Sequence, residues 1–178
     1  MTTPAVPSAI DVANWFAEIA RKEDIYLQPQ KLQRLLYISQ GSYAAMNYGR
    51  KLMPATFVAD ETGPLEPNVY RVFELGRPKI TAYKMPPEIE NFLARIWRKY
   101  CHHSTDYINQ QIQYHEIYME AIRKGHFEEI PFDKIVRFFS GREKPKIQRK
   151  QKKVVTADGR KLEKWLPTAQ ATSRPTNR

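Results

Sequence analysis

Between Ser8 and Gly141 the apolar residues recur at helical spacing in six runs, each opened by a capping residue or a proline. Ser8-Ala-Ile-Asp11 has the form of a helix start: a serine able to accept a first-turn N–H, with an acid three residues on. Val12, Phe16 and Ile19 then repeat on one face until charge accumulates at Arg21 to Asp24. Pro29 opens the second run. Its Leu32, Leu35, Leu36, Ser39 and Tyr43 form the strongest amphipathic stripe in the chain, which Gly49 ends at the latest. Pro67 starts a short helix, expected to turn Val69, Tyr70, Val72 and Phe73 toward a core and to end in a Gly76 cap. Pro86-Pro87 precedes an aromatic-rich face of Ile89, Phe92, Leu93, Ile96, Trp97 and Tyr100. Ser104-Thr105-Asp106 caps one long helix predicted to run to near Gly125. Pro131 opens the last helix, with Ile135, Val136, Phe138 and Phe139 apolar and Gly141 as its stop.

Two short stretches read as strands, Thr56 to Glu61 and Lys79 to Tyr83, and these can pair as a two-stranded ribbon on the helical body. The expected architecture is therefore mainly α: a compact bundle of about six helices over 8–141, carrying that ribbon. After Gly141 the periodicity stops. Residues 142–178 read as a disordered basic tail, with a short hairpin around Asp158-Gly159 as its one candidate element.

Charge sharpens this division. The chain of 178 residues carries a net +10, which by itself suggests a nucleic-acid partner. From Arg142 to Arg178, however, twelve basic residues stand against three acidic ones, so the tail holds +9 and the body only +1. If the tail binds nucleic acid, Lys144, Lys146, Arg149, Lys150, Lys152 and Lys153 lie close enough to follow one phosphate backbone. If it folds instead on a protein partner, Trp165 is its natural apolar anchor. Cys101 is the single cysteine, which excludes an intramolecular disulfide and suits a reducing cytoplasm. The opening MTTPAVPSAI lacks the basic and apolar regions of a secretory signal, and no apolar run is long enough to suggest a membrane span.

Little in the chain points to catalysis. Glycine-rich phosphate loops, zinc-protease motifs and nucleophile elbows are all missing, and no cofactor is called for. Cys101, His102, His103, His115 and His126 invite a metal reading, but His102 and His103 are adjacent and diverge on a helix, so a structural or simply exposed role is preferred. Cys101 beside His102 does not make a nucleophile pair, since adjacency does not bring imidazole to sulfur. Asp60, Glu61 and Glu66 surround a Gly-Pro corner, and a solvated loop is the default for such carboxylates. Tyr70, Tyr107 and Tyr118 sit at core-like spacing.

The segment Lys31 to Phe73 resembles the signature of the Panacea domain family, which includes SocA-like antitoxins and phage-associated GepA-like proteins. Lys31, Leu32, Gln33, Leu35, Leu36, Tyr37, Gln40 and Gly41 match its helix motif. Lys51-Leu52 match its turn, and Gly63, Pro64, Pro67, Val69 and Tyr70 match its Gly-Pro corner. Arg34 and Leu65 are mild replacements. The resemblance implies a helical, non-enzymatic, protein-binding domain that neutralises a cognate toxin, and in SocA-like members also presents it to an AAA+ protease. On this reading the candidate partner-binding residues are Gly63, Pro64, Glu66, Pro67 and Tyr70, with Trp165 in the tail. A nucleic-acid-associated phage or mobile-element protein is the rival reading.

Overall fold

The computed structural model describes residues 3–141 apart from 75, 77 and 82; the tail residues Lys144, Lys146, Arg149, Lys150, Lys152, Lys153 and Trp165 lie outside the described residues. Seven helices and three short strands are present among the described residues, so the protein is mainly α. In chain order they are α1 (Ala9–Lys22), α2 (Pro29–Met46), β1 (Phe57–Asp60), β2 (Gly63–Leu65), α3 (Pro67–Phe73), α4 (Pro87–Tyr100), α5 (Thr105–Gln113), α6 (Glu116–Lys124), β3 (Glu128–Ile130) and α7 (Phe132–Phe139).

Local chemistry sets most of these boundaries. Ser8 caps α1, its hydroxyl accepting the Ile10 N–H at 3.1 Å. Prolines occupy the first turns of α2, α3 and α4, where the missing N–H costs nothing. The chain ahead of Ser8 joins the same packing: Val6 is fully buried and donates its N–H to the Leu52 carbonyl at 2.8 Å.

Helix α2 is the axis of the fold. It touches α1, α3, α4, α5, α7 and β2, and every residue from Lys31 to Gly41 is buried. The apolar stripe of Leu32, Leu35, Leu36 and Tyr43 is thus only one side of a helix enclosed on all sides. The polar residues on its other sides are held by bonds that replace water. Lys31 Nζ donates to the Cys101 carbonyl at 2.6 Å. Gln40 Oε1 accepts the Leu52 and Met53 N–H groups, each at 3.1 Å, and its amide nitrogen returns a bond to the Met53 carbonyl. Gly41 is required by close approach, because a Cβ there would stand 2.3 Å from the Phe139 ring of α7.

Three expectations need correction. The ribbon does not form between Thr56–Glu61 and Lys79–Tyr83. β1 pairs antiparallel with β2 on one side and with β3 on the other, in the order β2-β1-β3, and Lys79 to Thr81 are not in a strand. The nearer Gly63–Leu65 closes on β1 through a two-residue turn at Glu61 and Thr62, with Asp60 opposite Gly63. Secondly, the long helix after Ser104 is two helices, parted at Tyr114 and His115. Thirdly, Tyr70, Val72 and Tyr107 lie outside the core, and of the three tyrosines at core-like spacing only Tyr118 is buried.

The break between α5 and α6 has a packing cause. The His115 imidazole lies 3.8 Å, centroid to centroid, from Phe138, with Phe139 edge-on at 5.5 Å. Its Nδ1 is 3.4 Å from the Tyr37 hydroxyl. Burial in this aromatic nest pushes the imidazole down to about 4. An unfolded imidazole takes up its proton near pH 6.5. Between that pH and about 4 the unfolded chain therefore binds more protons, and stability falls as pH falls. The expected loss is up to about 3 kcal/mol across this window. Urea unfolding of the wild type and of His115→Gln at a series of pH values checks it, because the variant should lose this component of the slope.

Candidate docking site

The Gly-Pro corner is built around a buried arginine. Arg34, on the second turn of α2, is 1% exposed and points its guanidinium into the turn between β1 and β2. Its Nη1 donates to the Pro64 carbonyl at 2.7 Å and its Nη2 to the Thr62 carbonyl, with the Thr62 hydroxyl at 3.3 Å. Its Nε donates to Asn109 Oδ1 of α5 at 2.7 Å. A planar fork of donors thus ties the corner to two helices at once. Desolvation pushes Arg34 down to about 10, so it stays charged at neutral pH.

Gly63 answers this arginine. Its φ of 131° is a conformation that L side chains rarely adopt, and an added Cβ would stand 2.4 Å from the Arg34 guanidinium carbon. Pro64 is buried, and its carbonyl is one of the acceptors. Pro67 is partly buried at the start of α3. Glu66 corrects the picture of a solvated carboxylate: it is 1% exposed and caps α3. Its Oε2 accepts the Val69 N–H at 2.7 Å, Oε1 accepts from the Asn68 amide at 3.1 Å, and its own N–H donates to Gln33 Oε1 at 2.9 Å. Of the proposed partner-binding residues in the body, Gly63, Pro64 and Glu66 shape the corner from inside, and Tyr70 is the one that offers a large side chain to solvent, at 44% exposed.

Asp60 lies at the other end of the turn. Burial raises its carboxyl, but the Thr62 hydroxyl at 2.6 Å, the Thr62 N–H at 3.1 Å and the charges of His126 and Arg34 outweigh that and hold it below the usual carboxylate range. The Tyr118 hydroxyl donates to the Asp60 carbonyl at 2.6 Å. Glu61 is exposed on the turn. With Glu66 serving as a cap, the three carboxylates are not assembled as an acid–base pair.

Next to the corner lies a cavity of about 400 Å³ between the first turns of α2, the sheet and α3. Val58 and Leu65, partners across β1 and β2, form part of its wall. Tyr70 of α3 and Phe127, just before β3, line it as well. Phe127 was not singled out in the sequence. It is 56% exposed, has φ of 61°, and donates its N–H to the Ala59 carbonyl at 2.9 Å. A phenylalanine in the left-handed region is a strained residue, and strain of this sort concentrates at functional sites. His126 stacks on it at 4.0 Å and reaches Asp60 at 3.7 Å.

The remaining candidates are scattered. Cys101 is buried at the end of α4, and His102 and His103 are exposed beside it. His115 belongs to the aromatic nest, and His126 to the Phe127 turn. Among the described residues no three His, Cys, Asp or Glu side chains converge on a metal-sized site. No described helix is long and apolar enough to cross a membrane.

Comparison with protein-family models, with curated proteins and with solved structures finds no match.

Proposed function

We propose that this chain is a protein-binding domain of antitoxin type, which neutralises a cognate toxin by docking it at the Gly63–Pro67 corner and the adjoining groove. The observation that carries the reading is the pairing of a rigid, arginine-clasped corner with two exposed aromatics, Tyr70 and Phe127, on one apolar cavity. Exposed aromatics on a pre-shaped support are what protein interfaces use as anchors. The toxin is inferred from the resemblance of Lys31 to Phe73 to the Panacea signature, as are the delivery to an AAA+ protease and a place in the bacterial cytoplasm. The proposal involves no enzymatic activity and no cofactor.

A second reading rests on the +9 carried by 142–178, which suits a nucleic-acid-associated protein that uses Lys144 to Lys153 on phosphates. Salt separates the two. Binding of the full chain to the product of the adjacent reading frame, and to duplex DNA, is to be measured by fluorescence anisotropy across a salt series. The antitoxin reading expects protein binding that changes little with salt. A log–log salt slope near −4 to −5 on duplex, the value for about five phosphate contacts, without protein binding would favour the second reading and defeat the first.

A further inference from the structure

We infer that the groove beside the corner accepts a peptide segment that pairs an apolar anchor side chain with a carboxylate, the anchor seated among Val58, Leu65, Tyr70 and Phe127 and the carboxylate on Arg71. This rests on the docking reading above and specifies the chemistry of the partner. Three charged residues line the groove: Arg34, Asp60 and Arg71. Two of them are already engaged. The Arg34 guanidinium is spent on the Thr62 and Pro64 carbonyls and on Asn109. Asp60 holds the Thr62 hydroxyl and N–H and faces His126. Arg71 is exposed in the last turn of α3, and no hydrogen bond or ion pair joins it to another described residue.

An unpaired guanidinium at the edge of an apolar groove selects by charge. A carboxylate arriving with the anchor gains a charge-assisted bond in a region the anchor itself dries. A lysine or arginine arriving there meets like charge, which penalises wrong partners more than it alters the apolar contact. Phe127 serves the same end, since its exposed ring is stacked on His126 at 4.0 Å and so has less freedom to lose on binding.

The test uses the full chain as bait for a phage-displayed library of random dodecapeptides, in four forms: wild type, Arg71→Glu, Tyr70→Ser and Phe127→Asn. Asparagine tolerates the left-handed backbone, so the last variant removes the ring while keeping the turn. Circular-dichroism melts confirm that each variant is folded. The expected enrichment is Asp or Glu within a few residues of a large apolar side chain. Arg71→Glu should weaken the best such peptide at least tenfold and turn the selection toward Lys and Arg. Apolar peptides without acidic bias, lost in Phe127→Asn yet indifferent to Arg71→Glu, would end this inference and leave the docking reading standing. Failure to select any peptide that depends on Tyr70 and Phe127 would count against both.

Discussion

Replacing Arg34 with methionine is expected to destabilise the fold by about 3–5 kcal/mol, far more than the loss of one surface charge. Methionine fills much of the same volume, so the packing of α2 survives. What is lost is the donor fork. The Pro64 carbonyl would lose its partner in a buried site, and the Thr62 carbonyl and the Asn109 side-chain oxygen would lose theirs in part-buried ones. Relief from burying the guanidinium charge offsets part of this, which is why the figure stays below the sum of separate bonds. Arg34→Lys should recover little, because one ammonium cannot span acceptors on a strand, a turn and a helix. Urea denaturation of the two variants measures both effects. A loss under about 1 kcal/mol for Arg34→Met would show that the corner stands without its clasp.

Gly63→Ala should cost about 2–4 kcal/mol, from a φ that alanine resists and from contact between its methyl and the guanidinium. Since 2.4 Å separates that methyl position from the Arg34 guanidinium carbon, the two residues should be coupled. The double variant Gly63→Ala/Arg34→Met should be more stable than the sum of the single losses predicts, by about 1 kcal/mol or more. Strict additivity in this cycle would mean that the glycine is needed for its backbone alone.

Helix identities were legible because punctuation residues carry them. Ser8, Pro29, Pro67, Pro87, Ser104 and Pro131 stand at or beside the starts of six of the seven helices among the described residues, and Gly125 and Gly141 follow the ends of two. The division at Tyr114 was hidden because it comes from the seating of His115 among Tyr37, Phe138 and Phe139, all distant in sequence, without glycine or proline to mark it. β2 was hidden because Gly63-Pro64-Leu65 has the composition of a turn, and β3 because Glu128 and Glu129 are exposed at a sheet edge. Lys79 to Thr81 had strand composition without a neighbour to pair with, and composition alone does not make a ribbon.

The candidate site was legible in outline. Gly63, Pro64 and Pro67 did mark a backbone shape, and that shape is real. The burial of Arg34 is not legible, because an amphipathic stripe suggests that residues off the stripe face water. A helix enclosed on every side breaks that inference, and the signal available was Lys31, Gln33, Arg34 and Gln40 interleaved with the apolar positions of the strongest helix. Phe127 gave no sequence signal, since a left-handed phenylalanine is fixed by the fold and not by its neighbours in the chain.

On the proposed function, the groove carrying Tyr70 and Phe127 is where a cognate toxin would dock. Growth of bacteria expressing the adjacent reading frame tests it, alone and together with wild type, Tyr70→Asp or Phe127→Asn. The account predicts that the reading frame arrests growth, that wild type restores it, and that both variants, folded by circular dichroism, fail to do so. Restoration by the groove variants as complete as by wild type, or a neighbour without toxicity, would contradict it.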